Sequence, residues 1–209
     1  MQAHRGVSTD APENTLAAYR LAVAQGYDLI ELDPKMTKDG VPILLHDNTL
    51  NRTARLRGAV LEKPLSSREL TLSELSAYDV GEWFSEEFRG ERIPTLAEVL
   101  AFAEEVGMEL KIDNVIFTFS PEEREIVYAL LRESGAKAGI TASTEENLME
   151  AARAVPLAPL HYDGEVSEEL LLRLREALPE RGLPFGRDSR TSLAYGARSH
   201  PLPKRPLPW

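Results

Sequence analysis

The sequence predicts an α/β fold built on a parallel sheet, and three observations predict it. Short apolar runs alternate with helical patterns along most of the 209 residues, the signature of strand–helix–strand units. Capping signals open the helices at regular intervals. Polar residues stand at the ends of successive apolar runs, where the site of a parallel α/β protein lies. This pattern fits either a closed barrel or a doubly wound sheet.

Taken in order, Asn14-Thr15 opens a first helix with Leu16, Tyr19, Ala22 and Val23 on one face and Gly26 at its end. Asp28 to Asp33 reads as a strand whose two-residue period puts Glu31 and Asp33 on one face. Asp39-Gly40 marks a turn, and Val41 to Leu45 is a further strand ending in His46-Asp47. Residues 51–92 are polar and irregular and read as an insertion, with a short helix capped by Thr71 and Glu74. Thr95 and Glu98 cap a helix that Gly107 ends, and Met108 to Ile112 is a strand. Ser120-Pro121 starts the next helix. Ala138 to Ala142 and Leu157 to His161 are strands, with helices starting at Thr144 and Ser167. With a first strand ahead of Asn14, where His4 lies, six strands are predicted in this way, and a weaker seventh near Leu183. A (β/α)8 barrel usually takes about 250 residues, so the chain is short for one.

Composition narrows the function. The chain has 43% hydrophobic and 28% charged residues and no cysteine, which excludes disulfides and thiolate metal sites. The net charge of −10 argues against nucleic acid or an anionic membrane as partner. No apolar run approaches the roughly 20 residues of a membrane span, so no stable membrane anchor is expected. The first residues show no signal-peptide pattern, and a cytoplasmic location is expected. Phe185 to Trp209 carries five Lys/Arg, one acid and four of the fourteen prolines. It reads as a basic, proline-rich, poorly ordered tail behind a domain of residues 1–184.

His4, Glu31, Asp33, His46 and Asp113 end successive predicted strands. Two acids on one strand face repel unless a cation lies between them. Oxygen ligands select a hard cation such as Mg²⁺ or Ca²⁺. Histidines on neighbouring strand ends can then serve as general acid and base.

His4-Arg5-Gly6, Pro12-Glu13-Asn14-Thr15, Glu31-Leu-Asp33, Thr37-Lys-Asp39-Gly40 and His46-Asp47-Asn-Thr-Leu50-Asn-Arg52-Thr53 follow one another in order and spacing. Asp79-Val-Gly81-Glu-Trp83-Phe84 and Ile93-Pro94-Thr95-Leu96 continue the series to about residue 115. Together they resemble the glycerophosphodiester phosphodiesterase family. The resemblance implies a TIM (β/α)8-type barrel with a small insertion (about 51–92) after the third strand, divergent or incomplete at its C-terminal end. It implies one divalent cation, Mg²⁺ or Ca²⁺, held by Glu31, Asp33 and a third carboxylate. His4 and His46 would be the acid–base pair. Arg5, Glu13, Asn14 and Lys111 would bind a small-molecule phosphodiester, cleaved to glycerol 3-phosphate and an alcohol. Trp83 and Phe84 would serve as core packing or as an aromatic wall. Two registers compete for the third carboxylate. Asp113 fits if Leu110-Lys111-Ile112 precedes it as in the family; Val115 then replaces the family's phosphate-binding lysine. Glu109 with Lys111 is the other register, and since 109, 111 and 113 share a face, parity does not decide. The missing lysine and the unusual C-terminal third leave open a degenerate member that binds metal or phosphoester without turnover; a phosphodiesterase acting on lysophospholipids, which a more apolar wall would favour, is the other alternative.

Overall fold

The computed structural model describes residues 1–179. The elements run β1 (Gln2–His4), α1 (Leu16–Ala24), β2 (Leu29–Leu32), β3 (Pro34–Met36), β4 (Pro42–Leu44), β5 (Arg55–Leu56), α2 (Leu72–Leu75), β6 (Tyr78–Asp79), α3 (Leu96–Val106), β7 (Glu109–Ile112), α4 (Pro121–Glu133), β8 (Ala138–Ala142), α5 (Glu145–Ala154), β9 (Leu160–Tyr162) and α6 (Glu168–Ala177). Strands β1, β2, β7, β8 and β9 pair in that order, all parallel. This is α/β architecture of the TIM-barrel type, of which the described residues supply five neighbouring strands. The predicted seventh strand near Leu183, the domain limit at 184 and the tail 185–209 lie outside the described residues.

Local chemistry explains the elements. Thr15 caps α1 by accepting from the Ala18 N–H. Thr95 with Glu98 and Ser120 with Glu123 form full capping boxes on α3 and α4. Gly107 ends α3 in the left-handed region at φ 71°. The buried faces of these helices pack on Ile30, Leu32, Leu110, Ile112 and Ile140 of the sheet in the main core.

One predicted strand is placed differently. The run Val41 to Leu45 does not join the parallel sheet; β2 pairs directly with β7. Instead β4 folds back antiparallel on β3, with Pro34 opposite Leu44 and Met36 opposite Pro42. The cause is the turn signal between them. Gly40 takes φ 77°, the Thr37 Oγ1–Asp39 Oδ1 bond is 2.6 Å, and the Val41 N–H donates to Thr37 Oγ1 at 2.8 Å. That closes a hairpin, a shorter connection than the crossover a parallel strand needs.

Alternate residues of β4 enter different cores. Leu44 belongs to the main core. Ile43 and, just past the strand, Leu45 join Leu50, Ala54, Leu75, Tyr78, Val80 and Ile93 in a second core. Residues 51–92 thus fold around a hydrophobic centre of their own, laced by the β5–β6 pair.

Gly6 shows how closely the first loop packs. Its φ is +81°, and a Cβ there would lie 2.6 Å from the Ala18 Cβ. Gly26 also has positive φ (+74°), yet a Cβ there meets nothing within 4 Å. Gly6→Ala is therefore expected to destabilise the chain by more than Gly26→Ala, the excess being an overpacking cost of about 1–3 kcal/mol. Equal losses of Tm in thermal melts of the two variants would contradict this packing.

Candidate active site

The site is assembled where β1, β2 and β7 end. The register aligns His4, Glu31, Lys111 and Gly139 across four adjacent strands. Two residues further along stand Asp33, Asp113, Thr141 and His161, on the same face by the strand period; Thr141 and His161 are register partners. Carboxylate oxygens of Glu31, Asp33 and Asp113 all lie within 4.8 Å of one another. Glu31 and Asp33 are buried, at 4% and 6% exposure.

Crowding three acids has an electrostatic cost. Burial, followed by repulsion from Asp33, pushes the Glu31 carboxyl up to about 7. The Arg5 backbone N–H offsets part of this by donating to Glu31 Oε2 at 3.1 Å. Glu109, the competing third carboxylate, lies near the other end of β7, opposite Leu29. It ion-pairs with Lys137 there. The structure therefore brings Asp113, and not Glu109, to Glu31 and Asp33.

The loop after β1 is strained and fully engaged. Arg5 (φ 58°) and Asn14 (φ 55°) both lie in the left-handed region, uncommon for residues with a side chain. Arg5 Nε stands 3.4 Å from Asp33 Oδ2 but is not aligned to donate to it, since that nitrogen has no hydrogen-bond partner. Its Nη1 donates to Glu13 Oε1 at 3.2 Å. Asn14, expected at the substrate, is buried: its Nδ2 donates to Asp33 Oδ2 at 2.8 Å and its Oδ1 accepts from the Tyr19 hydroxyl at 3.0 Å. Asn14 thus holds Asp33 in place. Glu13, also expected at the substrate, accepts from Arg52 as well as Arg5.

The two histidines sit differently. His4 Nε2 is 3.8 Å from Glu31 Oε2, and its side chain is 61% exposed. His46 follows Leu45, whose N–H donates to the Asp33 carbonyl at 2.9 Å, so the end of the β3–β4 hairpin carries it back to the acidic cluster. Its Nδ1 lies 2.7 Å from Asp47 Oδ1. His46, Glu13 and Asn14 line one small cleft together with Val80 and Ile93 of the second core.

Three residues of the site's surroundings were not singled out from sequence. Thr141 and His161 are almost fully buried at 1% and 2% exposure, and Thr141 Oγ1 and His161 Nε2 have no hydrogen-bond partner among the described residues. Burial, then the charges of Lys111 and Lys137, lowers the His161 imidazole to about 4, so it is neutral in neutral solution. The third is Lys35 on β3, half-buried and within the field of Asp33, Asp113 and Asp47. Alternation with buried Pro34 and Met36 was its only sequence signal.

Among the described residues no helix is long and apolar enough to cross a membrane. Comparison with known proteins places this geometry. The model of the glycerophosphoryl diester phosphodiesterase family matches residues 4–149. A glycerophosphodiester phosphodiesterase of Caldanaerobacter subterraneus is 42% identical over 119 residues, covering 55% of this chain and 46% of that protein. The human glycerophosphodiester phosphodiesterase 1 is 42% identical over 101 residues, 47% of this chain and 28% of that protein. The chain therefore spans less than half the length of these curated relatives. Among solved structures, an Oleispira antarctica phosphodiesterase in complex with the product sn-glycerol-3-phosphate superimposes with a TM-score of 0.67 at 27% identity, over 84% of this chain and 70% of that one. A glycerophosphodiester phosphodiesterase from Agrobacterium tumefaciens gives 0.61 at 29% identity, over 76% and 64%. With its motifs in order, its parallel strands in place and its carboxylates gathered at their ends, the chain belongs to the glycerophosphoryl diester phosphodiesterase family.

Proposed function

We propose that the chain hydrolyses glycerophosphodiesters to glycerol 3-phosphate and an alcohol, with His4 and His46 as the acid–base pair. The observation that carries this reading is the meeting of three carboxylates with an exposed His4 and a half-buried His46 at one end of a parallel sheet. The donor set suits a hard divalent cation, Mg²⁺ or Ca²⁺: all ligands are oxygens, and burial together with repulsion from Asp33 raises the Glu31 carboxyl, a cost that a cation among the three acids would relieve. Glu31, Asp33 and Asp113 would hold the ion, which when bound supplies Lewis acidity and charge neutralisation at a phosphodiester oxygen.

The chain's own residues do the rest. One histidine accepts a proton from the attacking water as a new P–O bond forms. The other gives its proton to the leaving alcohol oxygen as the old P–O bond breaks. Arg5 faces the same cluster and supplies a fixed cation for the phosphate. Lys111 shares the interior face with Glu31 and adds positive charge where Val115 offers none. The sn-glycerol-3-phosphate bound by the Oleispira antarctica protein supports glycerol 3-phosphate as the product here.

Purified chain is expected to release glycerol 3-phosphate from glycerophosphocholine, to stop in EDTA and to resume with Mg²⁺ or Ca²⁺. A folded chain that binds the cation but releases nothing across several headgroups would favour binding without turnover, the reading that Val115 invites. Release from lysophospholipids alone would move the substrate to that class.

A further inference from the structure

Arg52 lies outside the acidic cluster, yet it has the most complete set of ionic contacts near it. Its Nε and Nη2 donate to Asp47 Oδ2 and Oδ1 at 2.7 and 3.0 Å. Its Nη1 and Nη2 donate to Glu13 Oε2 and Oε1 at 2.8 and 2.7 Å. Both partners are held in forked, two-bond geometry, which a guanidinium can supply and an ammonium cannot. The ring of Trp83 lies 5.7 Å from the guanidinium carbon, and Trp83 is itself fixed by its Nε1 donating to the Val80 carbonyl at 2.9 Å.

The consequence passes to His46. Asp47 accepts from Arg52 with both oxygens and from the His46 ring with one of them. The first cause that keeps Asp47 ionised is Arg52, which with His46 lowers its carboxyl to about 2. An ionised acceptor 2.7 Å from Nδ1 makes that nitrogen the N–H donor and leaves Nε2 as the exchangeable position.

We propose that Arg52 is a positioning residue for the reaction: by clamping Asp47 against Glu13 it fixes the ring and the tautomer of His46, so that Nε2 is the atom that exchanges a proton with substrate. This rests on the assignment of His46 to acid–base chemistry. The arrangement resembles an acid–histidine pair with a cation added behind the acid. That cation keeps Asp47 from turning to solvent and tempers its charge. Besides the acidic cluster of Glu31, Asp33 and Asp113, the charged groups around this imidazole are Asp47 and Arg52 on its own loop and Glu13 and Arg5 on the loop after β1. Lys35 on β3 adds its charge opposite Asp47. Of these, Arg52 alone joins Asp47 to Glu13. A guanidinium that merely tied residues 51–92 to the barrel would give no link to the imidazole's protonation.

The test uses the full 209-residue chain and the variants Arg52→Gln, Arg52→Lys and Asp47→Asn, with glycerophosphocholine as substrate. In Arg52→Gln, kcat is expected to fall roughly 10–100-fold, as for other residues that orient a site group through a hydrogen bond, with KM little changed. The limb of the pH profile that Asp47→Asn moves to lower pH is expected to move to higher pH in Arg52→Gln, because the Asp47 charge is then no longer offset. Arg52→Lys keeps the charge but not the fork, so it should leave that limb in place while kcat still falls. Independently of turnover, NMR of ¹⁵N-histidine-labelled chain should show the Nδ1–H tautomer of His46 in the parent and a mixture in Arg52→Gln. Limbs that move in the same direction, or an unchanged tautomer in folded Arg52→Gln, would overturn the proposal. If the parent chain releases no glycerol 3-phosphate, the assigned activity fails and the tautomer measurement alone decides the role of Arg52.

Discussion

Replacing His46 with alanine is expected to lower kcat on glycerophosphocholine by roughly 10²–10⁴-fold, the usual contribution of a positioned acid or base. His4→Ala should do the same. His46 is only half-buried and joins neither hydrophobic core, so its removal should leave Tm almost unchanged. The carboxylate cluster does not include either imidazole, so cation affinity should persist in both variants. Stopped turnover with cation binding intact by calorimetry supports acid–base roles. A collapse of Tm with the loss of activity would show structural histidines instead.

The second large effect is on stability. In the cation-free chain Glu31 has its folded-state carboxyl raised from 4.5 to about 7. A folded value above the unfolded one means that the native state binds the extra proton. Its stabilisation is present below about pH 4.5 and is lost as pH rises through about 7, an effect of order 3 kcal/mol. His161 acts oppositely: its folded value near 4 means stability is lost as pH falls from about 6.5. Comparing Tm with and without cation at one pH cancels the His161 contribution. Mg²⁺ or Ca²⁺ at a hundred times its Kd should add about 2.7 kcal/mol, and the rise in Tm should be larger at pH 8 than at pH 5. Glu31→Gln should abolish that rise and make the cation-free chain more stable at neutral pH. Asp113→Asn should weaken the rise and Glu109→Gln should leave it alone. The reverse order in the last pair would return the third ligand to Glu109.

Much of this was legible because the signals are local. Thr95 with Glu98 announces α3 as a capping box over three residues, and Thr15 announces α1 by its own side chain, which accepts from the Ala18 N–H. The acid pair on β2 is visible because a strand period is two. Other features depend on distance. Glu109, Lys111 and Asp113 look alike to a two-residue period, and only their position along β7 separates them. The β3–β4 hairpin was readable in its turn but not in its pairing, because the apolar run Val41 to Leu45 serves a parallel or an antiparallel neighbour equally well. Arg52 and Glu13 are 39 residues apart, and their pairing follows from how the two loops meet. His161 carries no motif; its meaning comes from Gly139 on the next strand, where a Cβ would lie 2.6 Å from the imidazole Nε2.

The hairpin strand β4 works as a party wall. Leu44 faces one core, while Ile43 and Leu45 face the other, so two hydrophobic rooms share a single partition. The rooms meet at Leu45, which packs in the second core and donates its N–H to the carbonyl of Asp33. A substitution in the second room is therefore felt at the site through His46 and its cleft, which Val80 and Ile93 of that room help to line.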